Sequence, residues 1–364
     1  MKRLTVFLAL LLVILVLALP VRASEEVPTA DSYLDEVYGA IPEEVKPYLE
    51  KEYSSSTLNP EAIVSIAEAI LPRVIGSFLS VLGELLVLIV FAAIVKKLNA
   101  ALTRGNAFLG LVSLILLSTY LLRRLLQLAD ETRAYCLKIQ SFMSVISLSL
   151  GSAAALGGNV ISASAMAATV SSITLVLEGA CLSLLLPTVR LSLVSMLSSF
   201  SEDSGLATVG KVSRSLFQWL IGLISFFSVT VLTYQSLIAQ SEDTLSARTL
   251  RYALNGSIPI VGGVLGDSLR TLEASVNMIR RSVGTLGVMT LLLLGVLPLS
   301  SLISVKFAVL VLEGVSESLG LSHEQTLLCE ARKLLNMMIA VIIMVSLLYI
   351  FSLSLFMLLP LAEG

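Results

Sequence analysis

A single histidine, His323, and three cysteines, Cys136, Cys181 and Cys329, are all that this 364-residue chain offers for the commonest metal and nucleophile chemistry. One histidine cannot assemble a His-based metal cluster or catalytic pair. An odd number of widely spaced cysteines without CxxC spacing argues against a disulfide framework or a zinc site. His323 lies in Ser322-His323-Glu324-Gln325, which reads as a helix start with a surface histidine. The chain has no GxxxxGK[ST] phosphate loop, so it is not itself an ATP-driven motor, and no HExxH or GxSxG motif. Charge is also scarce: 14% of residues are Asp, Glu, Lys or Arg, against about 25% in soluble domains. A net charge of −2 with no long basic tract leaves no nucleic-acid footprint. These deficits exclude the usual soluble enzyme, and they call for no cofactor and no metal.

What is abundant is apolar surface: 56% of residues are hydrophobic and the mean hydropathy is +0.94. Apolar runs near 20 residues, the length that crosses a bilayer as a helix, occur at 74–95, 107–128, 169–189, 216–239, 286–305 and 336–359. The expected fold is therefore all-α: a polytopic membrane protein with about six transmembrane helices. We expect three parts: a signal peptide at 1–23, an acidic extracytoplasmic segment at 24–72, and a multi-pass membrane domain at 73–364.

The first part has Lys2 and Arg3 before an apolar stretch, then Pro20 and Val21-Arg22-Ala23, with small residues where a signal peptidase cuts. An uncleaved anchor is the alternative, and both arrangements export the next segment. That segment carries eleven acidic residues against Lys46 and Lys51, and Pro28, Pro42, Pro47 and Pro60 divide it into short helices. Tyr33, Leu34, Val37, Tyr38 and Ile41 recur at helical spacing and suit a face laid on a partner or on the membrane domain. A solvated acidic spacer is the other reading.

Positive charge orients the rest. Lys96, Lys97 and Arg104 follow the first run, Lys211 and Arg214 precede the fourth, and Arg332 and Lys333 precede the sixth; these belong in the cytoplasm. Arg123, Arg124, Arg248, Arg251, Arg280 and Arg281 then fall outside or at interfaces, in conflict with a simple alternation. Two Gly-rich segments, 141–168 and 256–281, are candidates for re-entrant hairpins that would restore the parity, or for small-residue packing helices. A candidate internal repeat relates 107–189 to 216–315, because Leu175-Val176-Leu177-Glu178-Gly179 recurs as Leu310-Val311-Leu312-Glu313-Gly314.

Ionisable residues inside a membrane are costly and mark candidate sites. Glu84 sits mid-run, either lining a watery path or lying at an interface. Glu178 and Glu313 stand near expected helix ends. Asp267 follows Pro259, Gly262, Gly263 and Gly266, a block whose Pro and small residues could break a helix and expose backbone dipoles to a pathway. Asp267 could equally pair with Arg270 one turn on.

From Lys211 to Gly320 the chain resembles the stage III sporulation protein AE family of endospore-forming bacteria. The residues that carry this are Ala247-Arg248-Thr249-Leu250-Arg251-Tyr252-Ala253, then Ser257-Ile258-Pro259-Ile260-Val261-Gly262-Gly263, Gly266-Asp267-Ser268-Leu269 and Glu273-Ala274-Ser275. The signal peptide, the acidic segment and the Lys96-Lys97-Leu98 connector are similar in layout. The first Gly-rich segment departs from the family pattern, with Ser147 to Ser149 where a proline is expected. The resemblance implies an integral subunit of the trans-envelope channel or secretion-like complex that joins mother cell and forespore, set in the mother-cell-derived outer forespore membrane. It implies a separate cytoplasmic ATPase subunit, other stage III A-operon proteins and a forespore-side partner across the intermembrane space. A homo-oligomer is a further expectation. It supplies no catalytic residues, and its best candidate block is Pro259, Gly262, Gly263, Gly266 and Asp267. The alternatives are an ion- or proton-coupled secondary transporter and a non-conducting scaffold for assembly.

Overall fold

The computed structural model describes residues 30–49, 60–101, 107–156, 160–196, 204–257 and 262–358, with the backbone alone at several helix ends and over 238–257 and 262–276. The expected signal peptide at 1–23 and Pro259 lie outside the described residues. Those residues form eight helices and no strand: α1 (Ala30–Ala40), α2 (Lys46–Leu49), α3 (Pro60–Ala101), α4 (Ala107–Leu156), α5 (Val160–Met196), α6 (Ser204–Ser257), α7 (Gly262–Ser318) and α8 (Ser322–Leu358). Six of them, α3 to α8, are long and apolar enough to cross a membrane, and each overlaps one of the six apolar runs.

The composition accounts for such long helices. Leucine, alanine and methionine are strong helix formers. Many hydroxyls bond within their own helices: Thr132 donates to the Leu128 carbonyl, Thr174 to Val170, Thr290 to Leu286 and Ser352 to Leu348, all at 2.8–2.9 Å. Pro72, Pro187 and Pro298 all lie inside helices. Pro60 opens α3 at a position where its missing N–H costs nothing, and α3 then runs on unbroken through residue 72.

Where they are described, the two Gly-rich segments are the ends of long helices. Residues 141–156 complete α4 and 160–168 begin α5; there the ideal Cβ of Gly151 would meet Ala167 at 3.3 Å, the close approach that small residues permit. Residues 262–281 are the first turns of α7.

Helix α8 is central, with half of its span buried, whereas α6 is peripheral at 22%. Tyr349, Phe356 and Phe142 are the largest fully buried side chains. The Tyr135 and Ser346 hydroxyls meet at 2.6 Å between α4 and α8. Cys136 of α4 and Cys181 of α5 are both buried free thiols and face each other.

Cross-helix contacts give the register. Tyr135 of α4 is level with Ser346 of α8 and Gly295 of α7, and Ile146 is level with Leu353 and Gly287. On α3, Val74 is level with Ser304 of α7, whose hydroxyl donates to its carbonyl at 3.1 Å, and Lys96 is level with Gly320. Arg214 of α6 meets Glu330 of α8. Helices α3, α5 and α7 thus run one way and α4, α6 and α8 the other. The alternation places Arg123 and Arg124 level with Arg332 and Lys333, which takes that pair out of the conflict, whereas Arg281, one to two turns before Gly287, stays at the opposite end.

The acidic segment docks. Val37, Ile41, Val45 and Leu49 form a stripe at most 5% exposed against α4 and α7. Lys138 of α4 grips Glu44 at 2.6 and 2.8 Å, and Ser149 donates to Glu36 at 3.3 Å. The Lys138–Glu44 pair is half exposed, so it contributes on the order of 0–1 kcal/mol. The apolar stripe, at about 1.5–3 kcal/mol per fully buried side chain, holds the segment in place. Between a docking face and a free spacer, residues 30–49 are a docking face.

Candidate functional site

Ser77, Ser80, Val81 and Glu84 recur at helical spacing on one face of α3. Tyr120, Arg123, Arg124 and Gln127 do so on α4. The two helices run antiparallel, and these faces enclose a cavity of about 380 Å³. Ser80 donates to the Glu84 carboxylate at 3.1 Å, and the Tyr120 hydroxyl lies within bonding reach of it. Arg124 donates to the Gln127 side-chain oxygen at 2.9 Å, and Gln127 donates to Glu131 at 3.1 Å. The Arg124 Nε is buried without a partner. None of the ion pairs among the described residues involves Glu84, Arg123 or Arg124. Next to the cavity, Arg123, Gln127, Asp130, Glu131 and Ala134 line a second depression. Charges of both signs thus border space that admits water or a small polar solute.

A second charged group closes one end of the α6–α8 bundle. Arg332 forks onto Glu313, with Nε–Oε2 at 2.8 Å and Nη2–Oε1 at 3.2 Å. Glu330 receives Arg214 at 2.6 Å and Lys333 at 2.7 Å. Gly320, the one described residue with positive φ (+68°), ends α7 in the left-handed conformation that glycine adopts most easily. Lys96 reaches across to donate to its carbonyl. Every charge in this group has a specific partner, so its chemistry is that of a clamp.

Of the sequence candidates, Glu84 lies in the α3–α4 cavity and Glu313 in the clamp. Glu178 is half-buried on α5, where the Gln140 side-chain amide, oriented to satisfy both groups, accepts from its backbone N–H at 3.0 Å and donates to the Cys136 carbonyl at 3.2 Å. Gly262, Gly263, Gly266 and Asp267 are in the first two turns of α7, and their side-chain surroundings lie outside the described residues. Sequence reasoning used Arg123 and Arg124 only as topology markers and passed over Tyr120 and Gln127. The i, i+3, i+4, i+7 polar spacing on α4 was the available signal.

The family model described as stage III sporulation protein AE matches residues 45–359. The chain belongs to the stage III sporulation protein AE family. A stage III sporulation protein AE of Bacillus subtilis (strain 168) is 22% identical over 172 residues, a match that covers 47% of this chain and 43% of that relative. No solved structure matches. Family membership ties the chain to sporulation, and the six long apolar helices are consistent with a membrane subunit. Among the described residues no group of three or more His, Cys, Asp or Glu side chains is arranged to hold a metal ion.

Proposed function

We propose that this chain is an integral subunit of the complex that joins mother cell and forespore, acting there as a channel or export-gate component. It sits in the outer forespore membrane, which derives from the mother cell, with residues 24–72 on the extracytoplasmic side after signal cleavage. Its partners are other stage III A-operon proteins, a separate cytoplasmic ATPase subunit and a forespore-side protein across the intermembrane space. The ATPase is assigned to another chain because this one carries no phosphate loop.

The observation that carries the reading is the cavity holding Glu84, Tyr120, Arg123 and Arg124 between two long apolar helices. Unpaired charge in such a setting is retained where water or a polar solute is present. The test is an Arg123→Met/Arg124→Met double variant at the native locus of a sporulating host. Forespore gene expression after engulfment should fall at least tenfold while the protein level and its co-purification with the complex are unchanged. Wild-type expression in that strain defeats the channel role, and loss of co-purification points instead to a scaffold.

A further inference from the structure

The charges on α4 sit at an unexpected height. Asp130, Glu131, Arg133 and Lys138 lie within five residues of Tyr135, which is level with Gly295 of α7 and Ser346 of α8, and Arg123 lies about three turns toward the Arg332 end. At about 1.5 Å per residue, Arg123 is level with Leu334 of α8, Asp130 and Glu131 with Val341 and Ile342, and Lys138 with Tyr349. Helix α8 carries no charged residue after Lys333, α7 none between Arg281 and Lys306, and α6 none between Arg214 and Glu242. The apolar run that α4 itself offers, 107–122, is displaced from theirs by roughly 30 Å, a whole hydrocarbon core.

The docked segment shares this height, because Glu44 pairs with Lys138 and remains 60% exposed. Arg73, on the same face of α3 as Glu84, and Asp130 on α4 are exposed as well. Acidic side chains are too short to snorkel from the middle of a bilayer to either surface. A lipid-facing carboxylate there is among the least favourable placements a membrane protein can adopt. Other faces differ: on α6 Trp219, Phe226, Phe227 and Leu237 are each more than half exposed, and so are Leu71 and Leu79 on the side of α3 turned away from Glu84, as lipid contact requires.

We infer that the α1–α3–α4 face borders water and lines an aqueous lumen closed by further copies of this chain. The inference rests on the membrane-subunit reading above and gives the path a location on that face. Lys46, Arg73, Arg123, Arg133 and Lys138 stand against Asp35, Glu36, Glu43, Glu44, Asp130 and Glu131, so the face carries both signs in near balance and can confront its own copies across water. A lumen of mixed sign admits small hydrated solutes of either charge and does not select an ion by sign.

The experiment uses the full chain within the assembled complex of sporulating cells, with Cys136, Cys181 and Cys329 replaced by serine or alanine. Single cysteines are placed at Ala134→Cys and Leu137→Cys on the polar face, and at Phe226→Cys and Leu347→Cys on apolar faces. A charged, membrane-impermeant thiosulfonate should modify the first two at least tenfold faster than the last two. A bis-maleimide should join Leu137→Cys chains into a species of twice the mass. Equal rates at the four positions overturn the aqueous face, and fast modification without chain-to-chain cross-links overturns closure by copies. Forespore gene expression is scored separately in a deletion strain. If expression does not depend on this chain while labelling and cross-linking occur, the sporulation-channel reading fails and the lumen stands.

Discussion

The α3–α4 pair and the α6–α8 bundle have similar helix lengths and similar apolar content, yet they handle charge in opposite ways. In α6–α8 the ionised groups at the end that holds Gly320 are tied into pairs: Arg332 with Glu313, Arg214 and Lys333 with Glu330. In α3–α4 they lie along the helices, lining open space, with Glu84, Arg123 and Arg124 outside any ion pair among the described residues. Pairing at an end is an architectural use of charge, since it ties three helices where the chain turns. Charge left open along a helix has no such use, and it holds water where the rest of the protein excludes it.

The sharpest way to break this contrast is at the buried clamp. Arg214 is 8% exposed and Glu330 15%, so Arg214→Ala removes one of the two partners of a largely buried carboxylate and leaves Lys333. We expect a loss of about 1.5–3 kcal/mol, read as a lower thermal midpoint of the detergent-solubilised protein. The double replacement Arg214→Met/Glu330→Leu should recover most of it. If the single and double variants lose stability equally, the clamp is not a coupled pair.

Packing between α4, α7 and α8 comes next. The ideal Cβ of Gly287 would lie 2.2 Å from the Ile146 Cδ1 and 3.0 Å from the Leu353 Cδ1. Gly287→Ala therefore forces two core side chains to move, at about 1–3 kcal/mol, and Ile146→Ala in the same chain should relieve the clash. A stable single variant would show that α7 stands farther from α4 and change the register argument.

The smallest effect is expected in the cavity. Glu84→Gln keeps the size of an exposed side chain and its acceptor for Ser80, so stability should change by no more than about 0.5 kcal/mol. Its consequence should appear in forespore gene expression alone. A large stability loss would make the α3–α4 site a structural clamp like its counterpart and erase the distinction between the two regions.

The apolar runs were readable because each is a property of one helix. The acidic segment's stripe was equally plain, and Val37 and Ile41 do form its buried face. The cavity was half legible: Glu84 stood out as a charge within an apolar run, whereas Arg123 and Arg124 looked like interface markers because their own helix is polar from that point on. Only the opposing face of α3 shows that they share a space with Glu84. Arg214 and Glu330 are 116 residues apart, and nothing local in either stretch announces the other.

Composition and periodicity by themselves determined the helical class, the six long apolar runs and the absence of a phosphate loop or a histidine cluster. Only the tertiary structure decided the height at which each charge sits beside its neighbours. Hydropathy is summed along a single helix, but exposure to lipid or water depends on the sideways register between helices. That register is set by contacts such as Tyr135 with Ser346 and Ser304 with Val74, between residues more than 200 positions apart.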